Sequence, residues 1–165
     1  MFYPEKASQS NGEIDKFGAS DVLDLNWVQL MNAYSCTECG RCTSECPAHL
    51  TGKKLSPRKI MMDTRDRLEK VSKNITSNKG NFVDDGDRLL DNYITKEELW
   101  ACTSCNACVE ACPINIDPLS IIMDMRQFLI MEESSAHPDL NNMMNNIENN
   151  GAPWVRQLVL FCLKE

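Results

Sequence analysis

The 165-residue sequence lacks a basic start followed by an apolar core, so Met1 to Lys6 does not read as a secretory signal. It has no window near the roughly 18 uninterrupted apolar residues of a membrane span. Its longest apolar run is Leu158 to Leu163. Positive charge is in short supply: 17 Lys and Arg face 24 Asp and Glu, a formal net charge of -7. Phosphate would repel such a chain, which argues against a general nucleic-acid role. No convincing alternation of β-branched residues marks strands, and no Cys-Cys pair occurs. Apolar residues make up 42% and charged residues 25%, close to the globular average, so wholesale disorder is excluded. The length suits one domain or two small ones.

The sequence is rich in cysteine, with nine. Eight lie in two tight groups, Cys36, Cys39, Cys42, Cys46 and Cys102, Cys105, Cys108, Cys112. Cysteines this close would close almost no loop as disulfides, and a reducing cytosol disfavours structural disulfides in any case. Both groups read C-x2-C-x2-C-x3-C-P at an offset of 66, with Tyr34 and Trp100 two residues ahead of each first cysteine. Downstream, Ser56 to Arg65 parallels Asp117 to Arg126 at an offset of 61. A duplicated unit accounts for this: aromatic, four-cysteine loop, capped helix. The first copy holds five more residues between its last cysteine and its helix.

The expected elements are helical. Trp27, Leu30, Met31 and Tyr34 follow i, i+3, i+4, i+7, so a helix leads into the first loop. Ser56-Pro57 and Asp117-Pro118 read as N-cap and first helical residue, the second helix running to about Ser134. The pairs Asp63–Arg67, Asp66–Lys70 and Glu69–Lys73 are spaced to meet on the first helix. Thr95 to Glu98 reads as a capping box ahead of Trp100. Leu140, Met143, Met144 and Ile147 mark a last helix ended by Gly151, its Asn-rich side the wet face. Residues 74–94 read as a linker or long loop. The chain thus divides into an N-terminal extension (1–20), a two-cluster domain (21–153) and a C-terminal tail (154–165).

Four thiolates delivered so closely suit a compact multi-iron cluster. In two-cluster proteins of this pattern, the last cysteine of each run ligates the other run's cluster. The expected sets are Cys36, Cys39, Cys42 and Cys112 for one cluster, and Cys102, Cys105, Cys108 and Cys46 for the other. Gly40, Thr43, Ser44, Ala107 and Ala111 leave room for inorganic sulfide and for backbone N–H groups to reach it. Structural zinc usually takes ligand pairs a dozen or more residues apart, so a zinc-stabilised interaction module is the weaker alternative.

The stretches Tyr34 to Cys42 and Trp100 to Cys108 resemble the C-type iron–sulfur subunits of heterodisulfide reductases and their relatives. Leu50 to Lys59 is similar to the bacterial (Fe-S)-binding oxidoreductase branch of that family. The resemblance covers about residues 17–154. It implies an all-α alpha-helical ferredoxin fold with two pseudo-repeated cluster-binding units and two [4Fe-4S] clusters. It further implies an electron-transfer subunit with no substrate site, linking a donor to a catalytic partner of flavin, quinone or Cys-Cys-Gly type. A free-standing soluble dicluster ferredoxin is the alternative. The chain departs from the family in lacking a membrane domain ahead of the clusters, in lacking Cys-Cys, and in its tail after Trp154. The location expected is cytoplasmic, free or at the cytoplasmic face of the inner membrane.

Other residues read more plainly. Cys162, among Leu158 to Leu163, is a buried thiol rather than a ninth ligand. His49 and His137 are surface or loop residues, the methionines pack the core, and Tyr34 and Trp100 shield the clusters from water. Residues 41–73 carry net +5 while 1–40 carry -4 and 74–165 carry -8. A solvated helix face explains the basic segment; the functional reading is a docking patch for an acidic partner or a flavin phosphate.

Overall fold

A computed structural model describes residues 16–135 and 137–154. Cys162 lies outside the described residues. The chain divides into two compact units between Glu132 and Glu133. The first unit opens with a 3-10 turn (Val22–Asp24) and helix α1 (Trp27–Ser35). Then follow α2 (Arg41–Ser44), α3 (Pro47–Leu50), α4 (Pro57–Ser77), a broken turn α5 (Leu89–Asn92), α6 (Lys96–Ala101), α7 (Ala107–Glu110) and α8 (Pro118–Met131). The second unit holds α9 (Pro138–Asn150). The fold is all-α; β structure among the described residues is one isolated Leu90–Ile94 bridge. Among the described residues, no helix is long and apolar enough to cross a membrane.

The duplication read from the sequence is an architectural one. Ser56 and Asp117 cap α4 and α8 through side-chain acceptors at Lys59 N and Ser120 N, with proline at the first helical position. The buried face of α4 is Pro57, Ile60, Met61, Thr64, Arg67 and Val71. That of α8 is Pro118, Ile121, Ile122, Met125, Phe128 and Leu129. The first five positions of each coincide at the offset of 61, so both helices present the same face inward. Within the copies α1 packs on α4 and α6 on α8; between them α4 packs on α8 and α2 on α7. The longer connection of the first copy carries α3 and its turn at Gly52.

The structure corrects two expectations. First, Arg67 does not pair with Asp63 along the helix surface. It sits on the buried face of α4, fully enclosed, and reaches Asp21, Asp85 and the Asp87 carbonyl. Asp63 faces Lys59 instead, at 3.5 Å, and Lys70 lies over the Tyr93 ring. Second, residues 74–94 are not simply a linker: α4 continues to Ser77, and Leu89, Leu90 and Ile94 are wholly buried in the core. Helix α1 forms where its spacing predicts, with Leu30 packed against the core and the rest of the stripe turned outward. Trp27 is 70% exposed and Met31 and Tyr34 each 52%, while Gln29 and Ala33 face inward. Gln29 turns in because its amide donates to Asp124 on α8 at 2.7 Å and its oxygen closes the α1 capping box.

The segment before the 3-10 turn is laid tightly on α8. Ala19 N–H donates to the Asp124 carbonyl, and Gly18 approaches so closely that a Cβ there would lie 2.3 Å from the same oxygen. In the second unit, the Gly151 N–H at φ 67° closes α9 onto the Ile147 carbonyl. No α9 residue is buried, so Met144 and Ile147 are exposed along with most of the asparagines.

Candidate metal centre

Each cysteine loop is shaped by two left-handed residues at matching positions. In the first these are Glu38 (φ 59°) and Gly40 (φ 81°); in the second, Ser104 (φ 56°) and Asn106 (φ 61°). Glycine and asparagine are the residues that take this conformation most cheaply. A Cβ at Gly40 would meet only the Arg58 side chain, at 3.8 Å, so backbone conformation rather than crowding calls for glycine there. Gly40 and Asn106 stand ahead of the single-turn helices α2 and α7, which carry Cys42 and Cys108. The hydrogen bonds of these turns match: Cys46 N–H donates to the Thr43 carbonyl, and Cys112 N–H to the Val109 carbonyl.

The eight cysteines are free thiols grouped about two concavities. One, of about 420 Å³, is lined by Cys36, Cys39, Cys42 and Cys112, with Cys108, Met61, Ile116 and Pro118 among its walls. The other, of about 330 Å³, is lined by Cys46, Cys102, Cys105 and Cys108, with Leu55, Pro57 and Ile122. Each concavity therefore joins three cysteines of one copy to the last cysteine of the other, and Cys108 touches both. Cys46 is buried, Cys39 and Cys105 are exposed, and the rest are half-buried.

Crowding and burial show in the thiol chemistry. Burial pushes the Cys42 thiol up, with the Cys36, Cys39 and Cys112 sulfurs adding to the effect. Burial also drives Cys108 up to about 12, with Cys102 and Cys46 contributing. The Ala107 N–H, with help from Thr103, holds the exposed Cys105 below the usual thiol range. So many sulfurs in so little space require a cationic group to ionise together. The donor set is all thiolate, which suits soft centres including iron–sulfur clusters. Backbone donors already point at sulfur: Ser104 N–H at Cys102 Sγ and Ile116 N–H at Cys112 Sγ, both at 3.4 Å. Among the described residues, no group of three or more His, Cys, Asp or Glu converges on a single-ion site; the thiols ring open space instead. The residues present fit a polynuclear cluster in each concavity.

Neither Tyr34 nor Trp100 lines a concavity; aliphatic side chains do the shielding. Trp100 lies under the Arg126 guanidinium, 5.1 Å from its centroid. Arg126 and its counterpart Arg65 are the side chains for which the sequence suggested no role. Their sole signal was equal spacing in the repeat. His49 is exposed, and of the basic segment Lys54 is paired with Glu97 and Lys59 with Glu98, while Arg58 borders the first concavity.

An all-helical fold with two facing, cysteine-lined concavities defines a dicluster iron–sulfur protein. Residues 35–116 match the 4Fe-4S dicluster domain family. The chain carries a 4Fe-4S dicluster domain in an all-α, ferredoxin-like fold, and its cofactors are two [4Fe-4S] clusters. It is similar to the probable iron-sulfur-binding oxidoreductase FadF of Bacillus subtilis, 32% identical across 91% of this chain and 25% of the relative. It is also similar to the EtfAB:quinone oxidoreductase of Syntrophomonas wolfei, 28% identical across 86% of this chain and 22% of the relative. One subunit of the ferredoxin/F(420)H(2)-dependent CoB-CoM heterodisulfide reductase of Methanosarcina acetivorans is 29% identical, across 69% of this chain and 56% of the relative. The chain thus spans about a quarter of the first two relatives.

Proposed function

We propose that this chain is an electron-transfer module in which Cys36, Cys39, Cys42 and Cys112 hold one cluster and Cys102, Cys105, Cys108 and Cys46 the other. The observation that carries the reading is the crossed lining of the two concavities, each drawing its fourth cysteine from the opposite copy. Each such cluster, when bound, accepts and returns one electron. The protein's own part is placement. Cys108 borders both concavities, which keeps the two sites adjacent. Exposed Cys39 and Cys105 give each site an edge open to a redox partner. Met61, Ile116, Leu55 and Ile122 keep water from the interior sides.

The module would carry electrons between a donor and a partner of flavin, quinone or Cys-Cys-Gly type, on the cytoplasmic side. The relatives named as a quinone oxidoreductase and as part of a heterodisulfide reductase support that range of partners. The partner is either a separate chain or a further part of a longer protein. Exposed Arg41 and Arg58 beside the first loop suit an acidic docking face.

The test is Cys46→Ser in protein purified without oxygen, read by electron paramagnetic resonance. The variant should alter the signal of the centre held by Cys102, Cys105 and Cys108. An alteration confined to the other centre refutes the crossed assignment. The wild-type chain should hold about eight iron and eight sulfide; zinc without sulfide refutes the cluster reading altogether.

A further inference from the structure

The duplicated units differ in charge where an arginine meets the cysteine loop. Arg65 of α4 and Arg126 of α8 occupy equivalent places in the repeat. Each reaches the second residue after the first cysteine, the left-handed one. In the first copy that residue is Glu38, and Arg65 forms an ion pair with it. In the second copy it is Ser104, whose hydroxyl takes a hydrogen bond from Arg126 at 3.2 Å. Arg126 spends its other donors on carbonyls: Leu99 at 2.6 and 3.0 Å and Cys102 at 2.5 Å. Among the described residues no carboxylate pairs with it. The first loop thus carries a compensated pair, and the second an uncompensated cation.

We infer that Arg126 makes the site of Cys102, Cys105, Cys108 and Cys46 the more easily reduced of the two, so that an electron entering the chain settles there. The inference rests on the ligand reading proposed above. Adding one electron makes a site one unit more negative. A fixed cation beside it favours that state, and favours it more strongly where water does not screen the field. Arg126 is half-buried, bound to the backbone of Cys102 itself and stacked on Trp100. At the first site Glu38 cancels the field of Arg65. Arg58 also borders that site, but it is exposed, and solvent screens it. Arg126 is therefore a positioning residue for the electron, acting through charge and not through ligation.

A redox titration of the cluster-loaded chain, followed by electron paramagnetic resonance at low temperature, tests this. In the wild type the centre perturbed by Cys46→Ser should have the higher midpoint potential. Arg126→Gln should lower the potential of that centre and leave the other in place. Arg126→Lys, which keeps the charge, should retain most of the wild-type value. Glu38→Gln removes the nearer of two carboxylates about Arg65, Asp66 lying 3.9 Å away, and should raise the potential of the first centre alone. Because Glu38 is partly exposed, this variant decides the matter even where Arg126→Gln does not fold. An unmoved potential in Glu38→Gln, or equal shifts of both centres in Arg126→Gln, overturns the inference. A wild-type chain with fewer than two centres, or Cys46→Ser acting on the wrong one, is instead a failure of the ligand reading.

Discussion

Replacing Arg67 by methionine should cost the first unit about 3 kcal/mol. The guanidinium has no exposed surface, and it accepts no substitute for its partners. Its Nε and Nη2 donate to Asp21, its Nη1 and Nη2 to Asp85, and Nη2 also to the Asp87 carbonyl at 2.6 Å. These bonds join three stretches of chain: the 3-10 turn that Asp21 caps, the middle of α4, and the residues leading to Leu89. Removing one partner from a buried ion pair typically costs about 3–5 kcal/mol, because the remaining charge is stranded. Here the lower end applies. Asp85 is a quarter exposed and rehydrates, and Asp21 keeps its bonds to Val22 N–H and Leu89 N–H. For a unit of this size, that loss lowers the melting temperature by roughly 10 °C. The assay is urea denaturation of the cluster-loaded protein without oxygen, reading the midpoint at an unchanged slope. Acid supplies an independent check. The Arg67 guanidinium holds the Asp85 carboxyl below its usual range. A depressed carboxyl contributes stability that is present above about pH 4 and is lost as pH falls through the folded value. Arg67→Met should therefore flatten the acid limb below about pH 4. A loss under about 1 kcal/mol, or an acid limb as steep as the wild type's, refutes the network as a structural clasp.

Gly18→Ala should cost more than Gly40→Ala. Both are left-handed, a strain of about 1–2 kcal/mol for alanine, but only at Gly18 does the new Cβ meet backbone, at Asp124 O and Phe128 N. The expected losses are about 3 and about 1 kcal/mol in denaturant midpoints, and equal losses would show that the Gly18 approach is not tight. Glu98→Gln should lose about 1–2 kcal/mol at pH 7 and flatten the acid limb below about pH 4.5. Burial raises the Glu98 carboxyl, but the Lys59 ammonium and the Thr95 N–H and hydroxyl overcome this and hold it low. Its stabilisation is thus present at neutral pH and disappears on acidification; thermal unfolding at pH 7 and pH 4 reads the difference.

What the sequence made legible is what local chemistry dictates. Ser56-Pro57, Asp117-Pro118 and the Thr95–Glu98 box each satisfy their own helix start, so short spacing was enough to find them. The cysteine loops were legible for the same reason, since each wraps within seven residues. The burial of residues across the chain was not. Arg67 looked like one half of an i,i+4 pair because its true partners lie 46 and 18 residues away. Trp27, Met31 and Tyr34 have helical spacing, which fixes that they share a face but not which way that face turns. Gln29 decides that, by bonding Asp124, a residue 95 positions later. Residues 74–94 have a polar, turn-rich composition, and three aliphatics within them are enough to bury the end of the segment.

Duplication explains why the site is symmetric, and the departures from symmetry show what a second copy allows. Gly40 and Asn106 differ, yet both serve the same left-handed turn, so that change has no structural consequence to amplify. Leu55 and Pro57 shape one concavity while Ile116 and Pro118 shape the other, and the crossed walls make each copy depend on its sibling. Glu38 against Ser104 is a change of another kind, because it alters a charge while leaving the arginine that meets it in place. A carboxylate present in one copy and absent from the other sets the charge beside two sites built on the same plan. Two equally charged sites would give an electron no preferred end; this substitution biases one of them without altering a ligand.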